Sequence, residues 1–143
     1  MEFYRSNVKY NFLRKLLIQS HKSSHLNRVS ILSNEYAKII KEKMPTRDTI
    51  RCLDVGCGDM KIAKNLNSLL FQTKWDCIDT FEMSNDIINS KLNYISFDGL
   101  NIPSDKIDYD FILFSDVLHH VDGNKYHLME QAASRTKFLI IKD

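Results

Sequence analysis

Carboxylates recur beside glycines, hydroxyls and histidines at four places in this 143-residue chain: Asp54-Val55-Gly56-Cys57-Gly58, Asp79-Thr80, Phe97-Asp98-Gly99 and Ser115-Asp116-Val117-Leu118-His119-His120. Such a set can hold a nucleoside-like ligand. Glycines lack a β-carbon and let the backbone turn tightly against a bound group. A carboxylate about twenty residues after such a turn accepts both ribose hydroxyls in doubly wound folds, and Asp79 stands at that spacing. If the chemistry at such a site needs a base, His119, His120 and Asp116 are the candidates, with imidazole the side chain suited to neutral pH. No pyrophosphate cradle is present. Lys61 occupies the place of a further fingerprint glycine, and no Gly-Lys-Ser/Thr follows the turn.

Four segments must converge to make one site, and the elements between them show how. The nearly continuous apolar run at 50–55 reads as a parallel strand buried on both faces, broken only by Arg51 and Asp54. After the glycines, Ile62, Ala63, Leu66, Leu69 and Leu70 recur at helical spacing, with Asp59 at the helix start. Residues 75–79 read as a second strand ending in an acid, 80–90 as a mixed loop and short helix, and 92–97 as a third strand. A charged turn at 104–108 introduces a fourth strand at 111–114. A helix at 122–136, with Tyr126, Leu128, Met129 and Ala132 or Ala133 inward, leads to a fifth strand at 137–142. Ligands of open parallel sheets bind beyond the carboxyl ends of the strands. That rule gathers Asp54, Asp79, Asp98 and residues 115–120 around one crevice.

With these four motifs in this order, residues 50–143 resemble the class I S-adenosylmethionine-dependent methyltransferases, whose first motif is acid-x-Gly-x-Gly. The resemblance implies an α/β fold, a doubly wound, mostly parallel Rossmann-like sheet of five strands preceded by two helices, with the family's last two strands absent. It implies S-adenosylmethionine as cofactor, held by Asp54, Gly56, Cys57, Gly58, Asp79, Thr80, Phe97, Asp98 and Ser115. In that pattern Asp98 and the Phe97 backbone meet the adenine amine, and Phe81 or Met83 packs on the ring. Asp98 also fits a simple turn acid before Gly99. Met60 stands where many members carry a third glycine, a place that the reading assigns to the helix interior. The activity implied is methyl transfer to a small-molecule or lipid-like acceptor, with Asp116, His119 and His120 as candidate bases. The alternative is a shortened homologue that binds the cofactor without catalysis, and a nicotinamide-dependent oxidoreductase is disfavoured by Lys61.

The first forty-five residues read as a helical cover over a cofactor-binding domain at 46–143. Phe3, Tyr4, Val8, Phe12, Leu13, Leu16 and Leu17 lie near one side of a basic amphipathic helix, which suits packing on the domain or, as a second reading, a membrane surface. The stretch Ser20-His21-Lys22-Ser23-Ser24-His25 is expected to break it, with Ser24 capping a second helix to Lys43 whose inward face is Val29, Leu32, Tyr36, Ile39 and Ile40. His21 and His25 then read as solvated loop histidines. The two helices lack a basic recognition face, which argues against nucleic acid as a partner. Residues 1–74 carry 14 Lys and Arg against 6 Asp and Glu, residues 75–143 carry 6 against 12, and the formal net charge is +2. The three cysteines, odd in number and without CxxC spacing, read as buried thiols, with Cys57 in the loop. No membrane-length apolar run and no secretory leader is evident, so a cytoplasmic location is expected. The apolar strand at 137–142 is expected to lie at a sheet edge, where pairing with a second copy is open to it.

Overall fold

The structure, a computed structural model, describes residues 8–83, 91–103 and 108–143, and of residues 8–21 only the backbone. The expected short helix within 80–90, most of the turn at 104–108, and the apolar side built on Phe3, Tyr4 and residues 8–17 therefore lie outside the described residues.

Among the described residues, five parallel strands form a single sheet in the order β3-β2-β1-β4-β5. They are β1 (Ile50–Val55), β2 (Thr73–Asp79), β3 (Leu92–Ser96), β4 (Tyr109–Ser115) and β5 (Thr136–Lys142). β1 is central because it is apolar on both faces: Cys52 and Leu53 point to opposite sides and both are buried. Cys52, Trp75, Cys77, Phe111 and Leu113 share one face with α1 (Val8–Lys43) and α2 (Lys61–Leu69). Leu53, Val55, Ile78, Ile112 and Phe114 share the other with α3 (Lys125–Ala133). The strand order reverses between β2 and β4 on either side of β1, which opens a crevice at the carboxyl end of β1.

The expected pair of amino-terminal helices is a single helix of 36 residues. Residues 8–43 contain no glycine and no proline. Serine, histidine and lysine each cost a helix interior only a few tenths of a kcal/mol, so the polar stretch at 20–25 does not break it. His25 is accordingly helical rather than in a loop. Tyr36, Ala37 and Ile40 seat the helix on the sheet and Val29 is buried as well, whereas Ile39, 38% exposed, falls off the expected face.

Smaller corrections have equally local causes. Tyr126 is 67% exposed, because α3 buries the narrower stripe Leu128 and Ala132. Leu69 is 43% exposed at the end of α2. Met60 precedes α2 rather than lying within it. It is the N-cap residue, with φ +60, and its side chain is fully buried. Burial of the thioether in the core offsets a backbone conformation that glycine adopts more readily. Cys52, Cys57 and Cys77 are free and buried.

At the opposite end of the sheet, buried Asp110 on β4 accepts from Arg51 N–H at 3.0 Å and from Arg47 Nη1 at 2.9 Å, with Lys137 Nζ 3.6 Å away. This carboxylate joins the starts of β1, β4 and β5. Asp110→Ala leaves the Arg51 amide without its acceptor, and we expect a loss of about 1–3 kcal/mol in urea unfolding. An unchanged midpoint and slope would show that water replaces the carboxylate at no cost.

Candidate functional site

Two adjoining cavities lie at the carboxyl ends of β1, β2 and β4. The first, about 450 Å³, is lined by Asp54, Gly56, Cys57, Gly58, Ser115 and Asp116, and roofed by His25, Arg28, Val29 and Leu32 of α1. The second, about 520 Å³, is lined by Asp79, Thr80, Phe97, Asp98, Val117 and His120. Gly56 and Asp116 border both.

Gly56 has φ +72, and a β-carbon placed on it would stand 2.0 Å from Val117 Cγ2 and 2.8 Å from Val117 Cβ. The turn therefore needs glycine for its backbone and for the close approach of Val117. Its amide and that of Cys57 donate to Ile78 O, at 2.8 and 3.1 Å, tying the turn to β2. Gly58, at φ +55, meets nothing within 4 Å at its missing β-carbon. Its N–H donates to Asp79 Oδ2 at 2.8 Å, and Thr80 N–H donates to Asp79 Oδ1 at 2.7 Å. Two backbone donors thus orient the Asp79 carboxylate at the wall of the second cavity.

Asp54 is only 2% exposed, and among the described residues no ion pair neutralises it. Burial, with the Asp79 charge adding to it, pushes its carboxyl up to about 7. The first cavity thus contains a carboxyl group that a cation would ionise.

Asp116 has φ +54, a left-handed conformation that costs a non-glycine residue on the order of 1–3 kcal/mol. It is pinned on three sides. Arg28 Nη2 pairs with its Oδ1 at 2.8 Å, Lys142 Nζ donates to the same oxygen, and its amide donates to Lys142 O at 2.7 Å. Beside it, Ser115 Oγ and Tyr36 Oη share a hydrogen bond of 2.9 Å. Burial, the largest influence on the Tyr36 phenol, keeps it protonated well into alkaline pH. Tyr36 and Arg28 fasten α1 across the end of β4.

The sequence-derived site residues divide accordingly. Asp54, Gly56, Cys57, Gly58, Ser115 and Asp116 meet in the first cavity, and Gly56, Asp79, Thr80, Phe97, Asp98, Asp116 and His120 in the second. His119 lines neither. Its Nδ1 lies 2.7 Å from Asp143 Oδ1, an interaction that holds the Asp143 carboxyl below the usual range. Asp98 closes a turn, accepting from Leu100 N–H and Asn101 N–H at 2.8 and 2.7 Å, while its Oδ2 accepts from Asn101 Nδ2 at 2.8 Å. The turn-acid reading of Asp98 is therefore realised, at the rim of the second cavity. Phe81 is exposed and Met83, partly buried, packs against the core, and neither borders the two cavities. His25, Arg28, Val29, Leu32 and Tyr36 were not legible as site residues; helical periodicity placed three of them on one face without saying what that face covers. Among the described residues, no group of three metal-ligating side chains comes together.

Comparison with known proteins gives a consistent family. The sequence pattern described as a methyltransferase domain matches residues 26–142. No curated protein matches. Among solved structures, the chain is similar to the plantazolicin methyltransferase BpumL in complex with S-adenosylhomocysteine (TM-score 0.66, 19% identity, covering 94% of this chain and 51% of that one). It is also similar to CalS10, an amino pentose methyltransferase from Micromonospora echinaspora with S-adenosylmethionine bound (TM-score 0.60, 12% identity, covering 82% and 51%). A third is an O-methyltransferase family protein from Burkholderia thailandensis (TM-score 0.59, 14% identity, covering 82% and 40%). The chain spans about half the length of these structures or less, and at such identities the likeness is one of fold.

Proposed function

The chain belongs to the methyltransferase domain family, and on that premise we propose that it binds S-adenosylmethionine and transfers the methyl group to a small-molecule or lipid-like acceptor. The supporting observation is that two adjoining chambers meet at Gly56 and Asp116, with Asp54 in one and Asp79 in the other. Asp79, held by two backbone amides, suits a pair of ribose hydroxyls. Asp54, buried and without a paired cation among the described residues, suits the positively charged amino-acid end of the cofactor. The missing β-carbon of Gly56 lets Val117 close against the turn that both chambers share.

When bound, S-adenosylmethionine supplies a methyl group on a sulfonium centre. The protein's part in such a displacement is alignment and exclusion of water. We assign Arg28, on the roof of the first chamber, to the cofactor's carboxylate, and Phe97 and Asp98 to the adenine side. A proton leaving an oxygen or nitrogen acceptor falls to His120, which lines a chamber, rather than to His119, whose ring is turned to Asp143. Asp116 is engaged by two cations and serves better to fix α1 than to accept a proton.

Calorimetric titration with S-adenosylmethionine and S-adenosylhomocysteine, with NAD as control, tests this directly. Saturable binding of the first two alone is the expected result, and absence of heat with a folded chain would remove the reading. Binding without turnover on any acceptor would leave a cofactor-binding, catalytically idle member. Asp79→Ala should weaken the cofactor by roughly 1–3 kcal/mol, the cost of leaving ribose hydroxyls unpaired in a desolvated site. Undiminished affinity in a folded Asp79→Ala chain would take that carboxylate out of the site.

A further inference from the structure

The end of the sheet opposite the crevice carries a second surface of distinct character. Phe71, in the turn between α2 and β2, is 77% exposed, and Leu69 beside it is 43% exposed. A shallow cavity of about 470 Å³ joins them to Lys41 and Arg47. Lys91 Nζ donates to Phe71 O at 2.6 Å, which places a third cation at the same turn, and Lys74 is exposed at the start of β2. Among the described residues, Asp48 is the one acid lining that cavity. Arg47 pairs with Asp110 yet keeps a side chain 42% exposed.

An aromatic side chain held in water beside Lys41, Arg47 and Lys91 costs solubility without contributing to the core. We propose that this face docks on an anionic lipid bilayer, with Phe71 and Leu69 entering the headgroup boundary and Lys41, Arg47, Lys74 and Lys91 lying against the lipid phosphates. Apolar insertion and electrostatic attraction together are the two signals that stable peripheral binding needs. A single-stranded nucleic acid fits less well, since its bases stack on a series of aromatic rings along a groove, and here one ring stands beside an aliphatic side chain. The surface lies at the amino ends of the strands, away from both chambers, so docking there leaves the crevice open and does not depend on what the crevice binds. It also differs from the expected membrane role of the amino-terminal helix.

Vesicle co-sedimentation tests the proposal on the intact chain. We expect partition to vesicles of phosphatidylcholine with about one third phosphatidylglycerol and none to phosphatidylcholine alone, with strong weakening in high salt as charge screening shortens. Phe71→Ser, at a position too exposed to disturb folding, should lower partition roughly tenfold, the loss expected for an inserted aromatic ring. Phe71→Trp should add fluorescence that shifts to the blue with anionic vesicles. Failure to bind anionic vesicles overturns the proposal. So does binding that Phe71→Ser leaves unchanged, which would place the contact elsewhere, or binding of a single-stranded RNA oligomer without any partition to vesicles.

Discussion

Asp54→Asn is expected to stabilise the protein above neutral pH while weakening its hold on S-adenosylmethionine. In the folded chain burial raises the Asp54 carboxyl from the ordinary value of 3.8 to about 7. Between those two pH values the folded state binds more protons than the unfolded state. Stability therefore falls as pH rises through that window and stays lowered above it. A shift of this size corresponds to roughly 4 kcal/mol, an upper value since a buried charge draws in water and relaxes its surroundings. Asparagine carries no such penalty. The variant's advantage should be negligible near pH 4, grow through pH 5 and 6, and level off near pH 8. Urea unfolding across that range measures it, and a pH-independent difference would mean that folding leaves the Asp54 pKa where it is in the unfolded chain. Ligand linkage supplies a second readout. A cation placed in the first chamber lowers the Asp54 pKa, so cofactor binding near pH 7 should release up to about half a proton, and more at pH 6, seen as a buffer-dependent heat. The carboxylate thus strains the empty protein in the manner expected of a group retained for binding.

Gly56→Ala carries the second large effect. At φ +72 the substitution costs on the order of 1–2 kcal/mol from the backbone alone, and overpacking against Val117 adds about 1–3 kcal/mol. The sum, about 2–5 kcal/mol, is a large fraction of a small domain's stability. Gly58→Ala isolates the first contribution, because its β-carbon would meet open space, and should cost about 1–2 kcal/mol. Removing the methyl groups in Gly56→Ala/Val117→Ala should recover part of the loss, although the Val117 β-carbon remains 2.8 Å from the new atom. Equal losses at Gly56 and Gly58 would show that Val117 yields without resistance and that only φ matters.

The glycine turn was legible because it rests on local causes: an apolar strand must precede it and a β-carbon cannot be accommodated. The same holds for the sheet, whose strands announce themselves as apolar runs between polar turns. Their ends shift by one or two residues, as at Thr73 and Tyr109, because pairing with a neighbour extends a strand past its apolar stretch. The long helix was misread for the opposite reason. Six polar residues look like a break, but a helix is interrupted by glycine, proline or a competing cap rather than by polarity. The roof of the site could not be read at all. Arg28 reaches Asp116 across 88 residues of sequence and Tyr36 reaches Ser115 across 79, and no local pattern encodes either meeting.

The strand order has a bearing on how the chain assembles. β1 pairs on one side with β2, which follows it after one short helix, and on the other with β4, whose Phe111 faces Cys52 from far along the chain. Closing the longer loop demands more entropy and proceeds more slowly, so the β1–α2–β2 unit is favoured as the early nucleus and the β4 pairing as a late event. Both chambers draw lining residues from the segment just beyond β4. A chain halted before that pairing possesses the glycine turn yet no crevice, and a ligand that needs both chambers selects for molecules that have completed the slowest step of folding.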